Sequence, residues 1–385
     1  MKIAFCTWQF PALANTFILN EIVEVLKRGH EAWIYSIDRS DDEVVHQDIE
    51  RYGLMKRAVF LSDLGSGEPP DPSLAKYGED WLAEKLTSLA PAAARMKRDG
   101  VQLVHGCFMN NSATVAMVTA RLAGLPLTFE CHAHDIFVDL RFAAEKVAAA
   151  ARIFSISEYN KRYLTAELGC DPAKVAIKRV PILVDYCDTI GDRPREEGLV
   201  VTVGRLHPIK GLGTAIEAFA LVAARDDRAR FLIIGDGEER ESLEAKVDAL
   251  SLRGRVEFAG RMTNEESLDL VASAEAFLLP SEIAADGDRD GIPTSLIEAM
   301  YLRTPAVSTV VSGIPELIRD GENGLLAEPG DVSQIAEKLE RLLKDAALRA
   351  RLGEAARDTV VSDFGVRENI DVLIDEWASV IEQRR

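Results

Sequence analysis

The residues best suited to chemistry lie in a few short stretches. In 286-DGDRDGIPTSLIEAM-300, Asp286, Asp288 and Asp290 fall at alternate positions just before an apolar helical pattern. One reading is a cation site. A calcium loop of this spacing needs a bidentate Glu at its twelfth position; here that position is Ile297, and Glu298 comes one place late. Two aspartates two apart can also hold a divalent ion against a nucleotide diphosphate. The other reading is an anion site. Gly291-Ile292-Pro293 leads into a helix predicted over about Thr294–Leu302, and proline suits a first helical turn, where its missing N–H costs nothing. The free N–H groups of that turn, with the helix dipole, attract an anion, and Gly291 lets it approach the backbone. Asp290 would sit at the entrance and Glu298, eight positions on, about two turns inside, looking back along the helix toward the same ligand. Each carboxylate can accept hydrogen bonds from a sugar diol.

An anion beside three carboxylates needs cations. In 203-VGRLHPIKGLGTAIEAF-219 an apolar strand ends at Gly204, and Arg205 and Lys210 flank the turn before the next helical pattern. Loops at the carboxyl ends of parallel strands are where α/β folds bind ligands. Arginine grips phosphate in bidentate fashion and lysine adds a mobile point charge. The plainer alternative makes both solvated loop residues. A third stretch, 128-TFECHAHDIF-137, sets Glu130, His132 and His134 at a strand end; the chain has six histidines, and two stand together here. A hydrogen-bonded core or loop role is the simpler account of either.

Stepping outward, short apolar runs alternate with longer helical patterns. KIAFCTW, AWIYSI, LVHGCF and LTFECH read as buried strands in the first half, and LVVTVGR, RFLIIGD, VEFAG, AEAFLLP and TPAVSTV in the second. Helical periodicity marks 17–30, 112–124 and 214–225. Strands apolar on both faces, alternating with helices, predict parallel sheets covered by helices. The polar stretch 184-VDYCDTIGDRPREEG-198 reads as a linker between two α/β domains, residues 64–76 as a Gly/Pro-rich loop, and 366–385 as a terminal amphipathic helix.

With 385 residues and 47% hydrophobic content, the chain suffices for two globular domains. The net charge of −18 is uneven: residues 1–190 carry 21 Lys+Arg against 25 Asp+Glu, and 191–385 carry 24 against 38. Such acidity argues against non-specific nucleic-acid binding, and leaves the first half as the one able to touch a membrane surface. Five widely spaced cysteines without a C-x-x-C pair point away from zinc cages and disulfide frameworks. The opening MKIAFCTW lacks the apolar core of a signal peptide, and no apolar run approaches the roughly 20 residues that span a bilayer. A cytoplasmic protein, peripheral at most to the inner face of the membrane, is the expectation.

VGRLHPIKG, FLIIGDGEERESLE, VEFAGRM and PSEIAADGDRDGIPTSLIEAM, followed by GIPELIRDGENGLLAEPGD, resemble the retaining glycosyltransferases of family 4 in order and spacing. In the first half, 10-FPALANTFILNEIVEVLKRGHE-31, TFECHAHDIF and 155-SISEYNKRYL-164 are similar to the members that build bacterial exopolysaccharides. The resemblance implies the GT-B fold: two Rossmann-like domains facing across a cleft, with the C-terminal helix returning to the first. Residues 1–190 with 366–385 would form the acceptor domain, and 191–365 the donor domain.

By this resemblance Arg205 and Lys210 bind the donor diphosphate, and Glu298 holds the ribose hydroxyls. Asp290, with Gly291, Ile292, Pro293 and Thr294, grips sugar and phosphate, while Gly204 and the loop Arg261-Met262 after VEFAG complete the nucleotide site. The family's Glu-x7-Glu motif is here Asp290-x7-Glu298, shorter by one methylene at its first member. His132, preferred over His134, matches a histidine near the reacting sugar carbon. Asn15 and Thr16 match a loop that contacts phosphate or acceptor, without the usual glycine pair, and Glu130 is a further polar candidate.

The implied reaction moves a sugar from a nucleotide-diphosphate sugar to a hydroxyl of a glycan, lipid-linked sugar or small molecule. It retains anomeric configuration by a same-face route and needs no metal or other cofactor. Two alternatives stay open: an epimerase or hydrolase of sugar nucleotides on the same fold, and a non-catalytic nucleotide-sugar binding protein. A NAD-dependent dehydrogenase is disfavoured, because no G-x-G-x-x-G follows the first strand.

Overall fold

The computed structural model describes residues 1–11, 16–40, 47–65, 82–182, 184–191 and 193–384. Their contacts divide into two units: Met1–Ile156, Asn160–Lys178 and Asn369–Arg385 form the first, and Ser157–Tyr159 with Arg179–Glu368 the second.

The first unit is built on a parallel sheet of β1 (Lys2–Phe10), β2 (Glu31–Arg39), β3 (Ala58–Phe60), β4 (Leu103–Gly106), β5 (Leu127–Cys131), β6 (Arg152–Ser155) and β7 (Val175–Ile177). Among the described residues their order is β3-β2-β1-β4-β5-β6-β7. In the second unit β8 (Glu196–Val203), β9 (Arg230–Ile234), β10 (Val256–Gly260), β11 (Ala274–Leu279), β12 (Ala306–Thr309) and β13 (Leu325–Ala327) follow the order β10-β9-β8-β11-β12-β13. Every pairing among these strands is parallel. The order therefore reverses between β1 and β4 in one sheet and between β8 and β11 in the other. At such a reversal adjacent crossovers leave in opposite directions and a crevice opens at the strands' carboxyl ends.

Both faces of the second sheet are buried, which is why its strands read as unbroken apolar runs. Val201, Phe277 and Leu279 pack on one side with Leu296 and Ile297, whereas Val200 and Leu278 pack on the other with Phe219, Phe231 and Leu339. Adjacent residues point to opposite faces of the pleat.

The expected linker at 184–198 differs from what forms. Val184–Ile190 is a helix, and its Cys187 and Ile190 are buried in the second unit's core, so the chain passes between units earlier, after Lys178. Two apolar anchors outweigh the polar average of that stretch. Residues 66–76 of the expected loop lie outside the described residues.

The helix Val366–Glu382 carries its amphipathic face into the first unit. Trp377 there is fully buried, its ring centroid 5.6 Å from Phe5 and 5.2 Å from His105, and its indole N–H donates to Thr128 Oγ1 at 3.2 Å. All five cysteines are buried free thiols. No helix among the described residues is long and apolar enough to cross a membrane.

Candidate active site

In the second unit Lys210 and Asp290 meet where the strand order reverses, with Gly204 and Arg205 at the same strand end, whereas Arg261 and Met262 follow the edge strand β10. After β8, Gly204 donates its N–H to Ile234 O at 3.0 Å, and Arg205 stands exposed at the strand end. A tight turn, Pro208–Lys210, follows; His207 caps it by accepting the Ile209 N–H on Nδ1 at 3.4 Å. Gly211 ends the turn in the left-handed region (φ 60°), where a Cβ would stand 2.0 Å from the Pro280 carbonyl oxygen. Only glycine permits that approach, and it presses the Lys210 turn against the end of β11.

There Lys210 Nζ meets Asp290 Oδ1 at 2.6 Å, and Ser281 Oγ donates to Asp290 Oδ2 at 2.8 Å. Ser281 is fixed in turn by Thr309, whose Oγ1 donates to its carbonyl at 2.5 Å. Asp290 is thus buried with both oxygens engaged. Glu282, the next residue, accepts from Thr214 Oγ1 at 2.5 Å and donates its N–H to Ile209 O at 2.9 Å. Sequence reasoning singled out neither Ser281 nor Glu282, although both stand in the polar PSE run after the strand AEAFLL.

Asp290 leads to the helix Thr294–Tyr301, whose N-cap is Pro293; the expected first-turn position is one residue off. Gly291, Ile292 and Pro293 are buried at that start, and Thr294 is exposed. The first N–H groups of a helix have no partner within it. Glu298 is half-buried; burial pushes its carboxyl up to about 7, opposed by a hydrogen bond from Asn264.

Asp286 and Asp288 do not converge on a common point. Asp286 Oδ1 accepts the Asp288 N–H at 3.0 Å, and Asp288, itself buried, accepts the Arg289 N–H at 2.9 Å. No group of three or more His, Cys, Asp or Glu placed to hold a metal occurs among the described residues. Arg261 and Met262 follow β10 and are exposed, the Arg261 Nε lying 3.8 Å from Asp236 Oδ2.

In the first unit His132 follows β5 and packs its ring against Phe17 and Phe108, at centroid distances of 4.9 and 4.7 Å. Its Nε2 lies 3.5 Å from Glu130 Oε2. The backbone is held by Asp135, whose Oδ1 accepts the N–H groups of His132 (3.0 Å) and Ala133 (2.9 Å), and whose Oδ2 accepts that of Met109 (2.9 Å). One carboxylate thereby ties the loop after β4 to the loop after β5. Burial alone would lower the His132 pKa; Glu130 and Asp135 outweigh it and the net direction is upward. His134 is exposed. Asn15 and the Thr16 side chain lie outside the described residues.

Beneath His132, Glu130 is fully buried and accepts Lys178 Nζ on both oxygens, at 2.8 and 2.9 Å. Lys178 also contacts Glu21, and His105 Nε2 lies 3.3 Å from Glu130 Oε1. No sequence signal marked Lys178, Glu21 or His105, for their partners are remote along the chain.

Two Rossmann-like parallel sheets, each with a reversal of strand order, make up the GT-B fold. The fold is shared with HepE of Anabaena, solved in complex with UDP: 17% identity, TM-score 0.76, 98% of this chain and 100% of that one. It is also shared with sucrose-phosphate synthase of Thermosynechococcus elongatus, at 18% identity and TM-score 0.75, covering both chains fully.

Residues 189–359 match the family described as glycosyl transferases group 1, so the chain carries that domain and is a glycosyltransferase. Along its whole length it is similar to the amylovoran biosynthesis glycosyltransferase AmsK of Erwinia amylovora (27% identity, 100% of each chain). The 2-deoxystreptamine glucosyltransferase of Streptomyces kanamyceticus is 29% identical over 81% of this chain and 85% of its own.

Proposed function

We propose that this glycosyltransferase moves a sugar from a nucleoside-diphosphate donor to a hydroxyl of a growing exopolysaccharide or its lipid-linked precursor, with retention of configuration. The observation that carries the reading is the Lys210–Asp290–Ser281 arrangement at the strand reversal, with exposed Arg205 at the same strand end. A diphosphate leaving group gains negative charge as the glycosidic bond breaks, and preorganised cations stabilise that change. Arg205 and Lys210 are those cations, and the start of the helix Thr294–Tyr301 adds N–H donors. Asp290, with both oxygens engaged, serves chiefly to aim Lys210.

Glu298 accepts the ribose hydroxyls, Gly204 borders the phosphates, and Arg261 with Met262 borders the base. The second unit is the donor unit and the first, with His132, Glu130 and Asn15–Thr16, the acceptor unit. The name of AmsK and the UDP bound to HepE support this substrate class. Because Arg205 and Lys210 supply the positive charge, turnover is metal-independent; Asp286 and Asp288 each accept a local backbone N–H.

The test is transfer from a panel of nucleotide sugars to oligosaccharide and lipid-linked acceptors, with the anomeric configuration of the product read by NMR. Transfer with retention supports the reading. Inversion sinks the retaining mechanism, and hydrolysis or epimerisation without transfer sinks the proposal.

A further inference from the structure

The first unit buries more charge than its fold requires. Glu21 and Glu130 contribute two carboxylates and Lys178 one ammonium, all essentially inaccessible. Burial pushes the Lys178 pKa well below its ordinary value, and even a protonated Lys178 is one cation against the two carboxylates it contacts. The cluster therefore holds one negative charge in excess, and an isolated buried charge is costly.

Two imidazoles face Glu130, and they are not equivalent. Trp377 Nε1–H donates to Thr128 Oγ1, and the same oxygen lies 2.8 Å from His105 Nδ1. His105 is anchored there through Nδ1, and its Nε2 lies 3.3 Å from Glu130 Oε1. His132 differs. Its Nε2 faces Glu130 Oε2, its ring also hydrogen-bonds the Cys107 backbone, and Asp135 lies close by. Each of these neighbours is an acceptor or an anion, and the ring also packs against Phe17 and Phe108. The negative charge of Asp135 is met separately, by three backbone N–H groups and by buried Lys146 nearby, whose Nζ donates to Met109 O at 2.6 Å.

We infer that Glu130 is a positioning residue, and that the Glu21–Lys178–Glu130 cluster holds His132 as an imidazolium, a fixed positive charge toward the substrate and not a base. This rests on His132 being part of the site, as proposed above. It assigns the acceptor's deprotonation elsewhere, since an imidazolium committed to Glu130 has no lone pair to offer.

NMR titration of isotope-labelled histidines in the substrate-free protein tests the charge directly, with His132 assigned from the His132→Gln spectrum. His132 is expected to titrate above the ordinary histidine value of 6.5. Glu130→Gln should lower it by roughly 1–3 units, and Lys178→Met, which removes a cation, should raise it. The opposite signs separate tuning from a merely structural role. A His132 that titrates at or below 6.5 in the unmodified protein overturns the inference, and that measurement does not depend on either variant folding. If His132 titrates high yet His132→Gln transfers sugar normally, the charge assignment stands and the site assignment falls.

Discussion

At the scale of single residues, charge placement decides function. Lys210 is held by one carboxylate at 2.6 Å and aimed by a chain of hydrogen bonds through Ser281 to Thr309. Removing one such preorganised electrostatic donor typically costs 10²–10³ in turnover, about 2.7–4 kcal/mol. Lys210→Ala should therefore lower kcat at least ~100-fold with little change in donor KM; near-normal turnover in steady-state assays would remove Lys210 from the mechanism. Glu298 makes a second, pH-dependent case. Its folded-state pKa is raised from 4.5 to about 7 by burial, so the folded protein binds a proton there that the unfolded chain has released. Stability from this group falls as pH rises from about 4.5 to about 7 and then levels. In the proposed function the ionised form accepts the ribose hydroxyls, so donor KM should drop as pH rises through 7. Glu298→Gln should flatten that profile, raise Tm above pH 7, and weaken donor binding. Thermal melts and KM measured across pH check all three.

At the scale of elements, the loops after β8 and β11 work only because they touch. Gly211→Ala would drive a methyl into the Pro280 carbonyl and force a left-handed backbone on alanine. The expected result is a stability loss of more than ~1 kcal/mol, with kcat falling as Lys210 swings from Asp290, read by denaturant melts and turnover together. Much at this scale was legible in the sequence. The long apolar runs that became β1, β8 and β11 announced parallel sheets, and the spacing of Arg205, Lys210, Asp290 and Glu298 located the strand-end loops. What was not legible has physical causes. β3 and β7 have three residues each, too few to show a period. The helix Val184–Ile190 hid within a polar stretch because two buried side chains suffice to dock it. The cluster under His132 left no local pattern at all, because Lys178 meets Glu130 and Glu21 across 48 and 157 positions.

At the scale of the whole molecule, the acidic net charge of −18 and the local cations describe different things. The first is a property of the whole surface, and the cations stand together at one strand reversal, where the proposed function puts the donor's phosphates. With Arg205 and Lys210 supplying that charge, activity should survive EDTA unchanged. A strict Mg²⁺ or Mn²⁺ requirement would return Asp286 and Asp288 to consideration as ligands. The first unit depends on Trp377 from the far end of the chain, and Trp377→Ala should cost it about 3–5 kcal/mol, visible as an early transition in a thermal melt. This dependence also orders events during synthesis. The second unit's residues 179–368 are all made before Asn369, whereas the first unit's earliest strand must wait beside an open core for Trp377. During translation, the unit whose strands are made first is completed only after the residues of the other unit have been made.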